Sequence, residues 1–151
     1  MLEVERPADM KAYIGKPVGT SEWVLVDQAM IDAFAAATGD HQWIHVDVER
    51  AKREMPNGKT IAHGYLTLSL LPQLGDSVYR IRKTSRALNY GTNKVRFTSM
   101  VPSGSRVRLH YVLKGVEDVK GGVRMTFEST VELEGSEKPA LVAEALFMAF
   151  D

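Results

Sequence analysis

From Ile61 to Leu71 the chain reads Ile-Ala-His-Gly-Tyr-Leu-Thr-Leu-Ser-Leu-Leu, and past the His-Gly pair only Thr67 and Ser69 interrupt its apolar character. A helix of that composition has no polar face to offer water, so it must be enclosed on most sides. Extended to Leu74 the stretch is about 14 residues, too short to span a bilayer. Its cover must therefore come from the rest of the chain.

The second half supplies strands. Val107, Leu109, Tyr111 and Leu113 share one face, against Arg106, Arg108, His110 and Lys114 on the other. Val123, Met125, Phe127, Ser129, Val131 and Leu133 alternate in the same way with Arg124, Thr126, Glu128, Thr130, Glu132 and Glu134. Gly121-Gly122 and Pro102-Ser103-Gly104 are turn sequences. Leu141 to Phe150 is apolar on both faces, as a central strand covered twice would be.

Upstream, a short helix is expected over Asp9–Ile14 with Gly15 as its stop, then a strand over Glu22–Val26. Asp27 caps a helix that runs to Thr38, with Met30, Ile31 and Phe34 inward and Gly39 as its breaker. After an irregular segment, Asp47 caps a helix ending near Glu54, and Pro56-Asn57-Gly58 turns the chain. The expected architecture is α+β: one domain over 1–151, with one long buried helix inside a strongly curved antiparallel meander. Its outer strands need protection, which pairing with a second copy would give.

A chain of 151 residues suits a single domain. The absence of cysteine excludes disulfides, thiolate metal sites and a cysteine nucleophile, and fits a reducing compartment. The net charge of +0, from 19 basic and 19 acidic residues, is not that of a nucleic-acid binder. The distribution is uneven, however: Arg80, Arg82, Lys83, Arg86, Lys94, Arg96, Arg106 and Arg108 follow one another with no acidic residue between them. That cluster suits either a small phosphorylated ligand or solvated strand faces. Met1 to Pro7 is polar and lacks a signal peptide's apolar region, so a soluble, cytoplasmic protein away from membranes is expected.

The chemistry centres on Thr38 to Asp47. Asp40 follows the helix-ending glycine, and His45 comes five residues later. In a regular helix the two would not share a face, but in a loop they can converge. A carboxylate and an imidazole meeting at one water form a general acid–base pair. The plainer alternative is that Asp40 caps the next turn and His45 is packed. A metal reading would use His41 and His45 at i,i+4 with Asp40, Asp47 and His63. Gln42 stands where an H-E-x-x-H site needs its glutamate, so no metal is expected. His63-Gly64 opens the apolar helix, where first-turn N–H groups lack partners and glycine admits a close ligand. Such N–H groups can stabilise an oxygen that gains negative charge. Gly64 serves equally well for close packing of helix on sheet.

Phe34 through His45 to Ala51, then Ala62-His63-Gly64-Tyr65-Leu66, then Phe97 to Val107 resemble the MaoC-like, (R)-specific enoyl-CoA hydratases. The resemblance runs from roughly residue 20 to 115. It implies a hot-dog fold, usually dimeric, with substrate in a tunnel near the subunit interface. It further implies Asp40 and His45 as the catalytic pair and Gly64 as backbone donor to the thioester oxygen. The implied reaction is reversible addition of water to a trans-2-enoyl thioester, giving the (R)-3-hydroxyacyl thioester. Gln42-Trp43 replaces the family's usual Asn-Pro, a form similar to the nodulation-protein-N-like branch, and Trp43 either packs or walls the acyl tunnel. His63, Gln42, Trp43, Asn89, Tyr90 and Asn93 are the expected substrate contacts, with Lys94, Arg96 and Arg106 for CoA phosphates. CoA, or an acyl-carrier protein, enters only as part of the substrate, and no cofactor is expected. A hot-dog thioesterase and a non-catalytic acyl-CoA-binding module are the competing readings.

Overall fold

The computed structural model describes all residues from Met1 to Asp151. In chain order the elements are β1 (Leu2–Val4), a 3₁₀ helix (Pro7–Tyr13), β2 (Pro17–Thr20), β3 (Val24–Val26), α1 (Gln28–Thr38), α2 (Trp43–Val46) and α3 (Val48–Glu54). They continue with α4 (Gly64–Ser69), α5 (Leu71–Gly75), β4 (Tyr79–Ile81), β5 (Arg86–Phe97), β6 (Ser105–Val119), β7 (Gly122–Leu133) and β8 (Leu141–Phe150).

The alternation read from β6 and β7 is realised. Val107, Leu109, Tyr111 and Leu113 are buried, as are Val123, Met125, Phe127, Ser129, Val131 and Leu133. Antiparallel pairing from Val107↔Leu133 to Val119↔Gly122 keeps the apolar faces together, since a one-residue slip would turn every side chain over. At the β7 start a Cβ on Gly122 would lie 2.1 Å from the Ala149 carbonyl oxygen, so this strand approach demands glycine. β8 lies between β7 and β5, and it buries Leu141, Ala143, Ala145, Leu146 and Ala149 while its other residues stay half-buried. The main sheet runs β2-β6-β7-β8-β5, and β3 also pairs with β6.

Four expectations need correction. The sheet is not a simple meander, because β5 pairs with β8 and not with β6. The connection out of β5 crosses the start of the helical segment, where the Ala62 N–H donates to the Val101 carbonyl at 2.8 Å and Ile61 bridges Pro102. The single long helix is instead two short ones, α4 and α5. Ile61 and Ala62 are extended and bonded to that crossing, and Pro72 has no N–H to carry the ladder onward. Enclosure is one-sided as well: Leu66, Thr67, Leu70, Leu71 and Leu74 are buried, while Tyr65, Ser69, Pro72 and Gln73 face outward. Finally, the segment after Gly39 contains one helical turn, α2, where no regular structure was expected. β1 and β2 also escape sequence reading, being only three and four residues long.

The core fills the concave face of the sheet beneath α4 and α5. Tyr79, Tyr111, Phe127 and Phe147 form an aromatic group within it; the Tyr111 and Phe127 rings lie 4.6 Å apart and those of Phe127 and Phe147 5.9 Å apart. β5 differs from every other long strand. Its 12 residues are almost all exposed, and its outer edge pairs with nothing in this chain.

Burial sets the expected costs of truncation. Leu109→Ala, at a fully buried position, lowers unfolding free energy by about 2–5 kcal/mol in denaturant titration. Leu25→Ala, at a half-exposed position, stays within about 0.5 kcal/mol of the parent.

Candidate active site

Two segments converge at the start of α4. The first follows α1, whose N-cap Asp27 accepts the Met30 N–H at 2.9 Å. Gly39, at φ +80, ends that helix in the left-handed conformation open to glycine and turns Asp40 out of it. The Asp40 carboxylate accepts the Gln42 N–H at 3.3 Å, and α2 then presents His45. The second segment is the extended stretch from Thr60 to His63. Gln28 joins the two, donating from Nε2 to the His45 carbonyl at 2.8 Å and accepting from the Thr60 hydroxyl.

Both histidines are buried, and each is tied to the other segment's backbone. His45 Nδ1 lies 2.6 Å from the Ile61 carbonyl oxygen. A carbonyl only accepts, so Nδ1 carries the proton and Nε2 keeps a lone pair without a protein partner. His63 Nε2 donates to the Asp40 carbonyl at 2.9 Å, which leaves His63 Nδ1 buried and unpartnered. The two imidazoles stack at 3.8 Å with 22° between planes, and Phe34 leans on His63 at 4.8 Å.

Ligand-type atoms of Asp40, His45 and His63 all lie within 4.8 Å of one another. One water holding two bent hydrogen bonds of about 2.8 Å spans roughly that separation. His41 lies outside the cluster and Asp47 caps α3 by accepting the Arg50 N–H at 3.0 Å, so neither joins it.

Beside the cluster, the Gly64 N–H donates to no group in the protein. A Cβ on Gly64 would fall 2.9 Å from the Phe97 ring, so close packing also calls for glycine here. Phe97, which in turn meets Tyr65 edge-on at 5.7 Å, was not anticipated as a neighbour of the site.

The remaining expected contacts divide. Gln42 is exposed at the α2 N-cap, and half-buried Trp43 carries the Arg50 guanidinium 4.0 Å above its ring. Asn89 lines two adjoining cavities of about 570 and 410 Å³. Tyr90 carries Arg124 at 5.1 Å, and Asn93 donates to Glu144 at 2.6 Å. Half of the basic cluster is compensated by acids distant in sequence: Arg82 pairs with Glu3, Lys83 with Glu5, Arg106 with Glu134 and Arg108 with Glu132. Arg106 hydrogen-bonds Glu134 through two nitrogens and holds that carboxyl below its ordinary range, so it is not a free cation for phosphates. Lys94 and Arg96, on exposed β5, have no carboxylate partner.

The sequence matches the MaoC like domain over residues 9–134. It is 53% identical over 147 residues to 3-hydroxyacyl-thioester dehydratase Z of Mycobacterium tuberculosis, with 97% of each chain covered. Nodulation protein N of Rhizobium leguminosarum bv. viciae is 50% identical over 139 residues, covering 90% of this chain and 86% of that one. In fold, the chain is similar to the (R)-hydratase from A. caviae involved in PHA biosynthesis, with a TM-score of 0.71 at 21% identity over 89% of this chain and 94% of that one.

The hydrogen bonds require opposite tautomers in the stacked pair. Nitrogen-15 NMR of histidine-labelled protein is expected to show His45 protonated at Nδ1 and His63 at Nε2. The reverse assignment for His45 would contradict its hydrogen bond to the Ile61 carbonyl.

Proposed function

The chain belongs to the MaoC-like dehydratase family of hot-dog proteins, and on that premise we propose that it is a hydro-lyase interconverting trans-2-enoyl and (R)-3-hydroxyacyl thioesters. The observation that carries this reading is the convergence of the Asp40 carboxylate and the His45 imidazole, with a ligand-type atom of each within 4.8 Å of the other, beside the unpartnered Gly64 N–H.

In the hydration direction, Asp40 and His45 Nε2 hold one water and remove its proton. The water oxygen bonds to the β-carbon, and the C=C electrons move toward the thioester oxygen. The Gly64 N–H donates to that oxygen as its charge grows; one such donor is worth about 10²–10³ in rate. The proton then returns from the same pair to the α-carbon, so water is added without net change in the protein. Because one pair delivers both hydroxyl and proton, both arrive on one face of the substrate, and the way the thioester is held against Gly64 sets the (R) outcome.

His63 positions the carboxylate segment through the Asp40 carbonyl and stacks behind the base. Lys94 and Arg96 are the cations we assign to CoA or acyl-carrier phosphate. The assembly we propose is a homodimer formed through β5, whose exposed edge carries Leu88 and Tyr90 at 49% and 57% exposure. A cytoplasmic location follows from the chemistry of its thioester substrate, and no helix of the structure is long and apolar enough to cross a membrane.

Hydration of crotonyl-CoA, read as loss of the conjugated absorbance, tests the reading. Wild type is expected to turn over, and Asp40→Asn to lose about 10²–10⁴ in kcat. The Asp40→Asn/His45→Ala pair should fall little below either single variant, since both side chains act on one water. Near-full activity of Asp40→Asn contradicts the assignment, and release of free CoA thiol in place of hydration points to a thioesterase. Sedimentation is expected to show a dimer that Leu88→Lys/Tyr90→Lys converts to monomer.

A further inference from the structure

The larger cavity, about 570 Å³, lies at the far end of α5 and shares Leu71, Pro72, Asn89 and Phe147 with the smaller groove, which reaches back along α4 as far as Leu68. From Gly64 to Gly75 the helical segment spans roughly 17 Å at the α-helical rise per residue. That is the reach of a long acyl chain whose thioester sits at the Gly64 N–H. The cavity wall mixes apolar side chains with Asp76, Arg80, Thr84 and Asn89, and the two phenols Tyr79 and Tyr111 stand at its inner side.

Tyr111 is inward on β6 and 2% exposed, packed against Phe127, with Phe147 meeting it edge-on at 6.4 Å. Its hydroxyl lies 3.5 Å from where a Cβ on Gly75 would stand, so the missing side chain brings α5 close to this oxygen. Tyr79 stands beside it, ring centroids 6.3 Å apart. Neither phenol oxygen has a hydrogen-bond partner in the protein, and both residues line the cavity. Phenylalanine would fill the same aromatic box, so the two hydroxyls add donors that open into the cavity and that the protein itself does not use.

We infer that the hydroxyls of Tyr111 and Tyr79 recognise a neutral oxygen, such as a hydroxyl, keto or ether group, in the distal part of a long acyl chain. The preferred substrates of this enzyme are then oxygenated enoyl thioesters, not plain alkyl ones. The inference rests on the hydratase reading above. Burial pushes the Tyr79 hydroxyl up to about 12, with the Asp76 carboxylate adding to it, and burial moves Tyr111 in the same direction. Both therefore stay protonated and act as donors, which calls for an acceptor on the ligand. Asp76 at the rim disfavours a carboxylate there, although Arg80 also lines the cavity.

The test compares long trans-2-enoyl-CoA substrates bearing one hydroxyl at successive distal carbons with unsubstituted chains of equal length. At the matching position, kcat/KM is expected to exceed that of the plain chain by about five- to tenfold, the worth of one hydrogen bond to a donor otherwise left unpaired. In Tyr111→Phe, which keeps the shape of the ring, that ratio should fall to about one. A ratio near one at every position in wild type, or a ratio unchanged in Tyr111→Phe, overturns the inference. Failure on crotonyl-CoA is a separate result, against the hydratase reading. In that event calorimetric binding of the hydroxylated and plain acyl-CoA pair reads the same ratio, with the same two outcomes.

Discussion

The hydrogen bond from His45 Nδ1 to the Ile61 carbonyl is the contact on which the site depends. It fixes which imidazole nitrogen keeps its lone pair and where that lone pair points. Its counterpart runs the other way: His63, from the Ile61 side, donates to the carbonyl of Asp40. Each of the two segments thus contributes a histidine that is held by the other's backbone, and the rings stack between them. The Ile61 N–H adds a bond to the Ile44 carbonyl at 3.0 Å, so the clamp closes through main chain as well. This arrangement requires Ile61 and Ala62 to stay out of the helix. They do so because the connection into β6 pairs with them across the sheet's open side. The helix break that sequence periodicity misses is therefore part of how the base is aimed.

The reliable sequence signals were those with a strict local cause. Asp27 and Asp47 cap the helices expected of them, Gly39 ends α1 in the left-handed region, and the period of two in β6 and β7 corresponds residue by residue to burial. Signals that depend on distant partners were not legible. The basic run from Arg80 to Arg108 looks unbalanced in sequence only because Glu3, Glu5, Glu132 and Glu134, which neutralise half of it, lie far away along the chain. The order of β5 relative to β8 is likewise set by where a crossing passes the helix, which local pattern does not record. Asp40, His45 and Gly64 could be singled out from residue type and spacing, and the MaoC-like family resemblance gave them roles. The stacking of His63 on His45 and the Phe97 ring over Gly64 needed coordinates. Tyr111 did leave one trace: it is the only hydroxyl-bearing residue among the inward positions from Val107 to Leu113.

Function follows from an incomplete enclosure. A curved sheet that buried α4 and α5 on every side would leave no path for an acyl chain. Instead one flank stays open, bordered by β5, whose unpaired edge invites a second copy. Water excluded by such pairing would strengthen every polar contact inside. The Asp40–His45 pair and the tyrosine-lined cavity lie toward opposite ends of one helical segment.

The central claim is that a single carboxylate–imidazole pair delivers both hydroxyl and proton to one face of the substrate. Hydration carried out in D₂O, with NMR of the isolated 3-hydroxyacyl product, tests it most directly. The account predicts one deuterium at the α-carbon, syn to an (R)-hydroxyl. Anti placement, or deuterium divided between the two α-positions, would show that separate groups handle the two transfers.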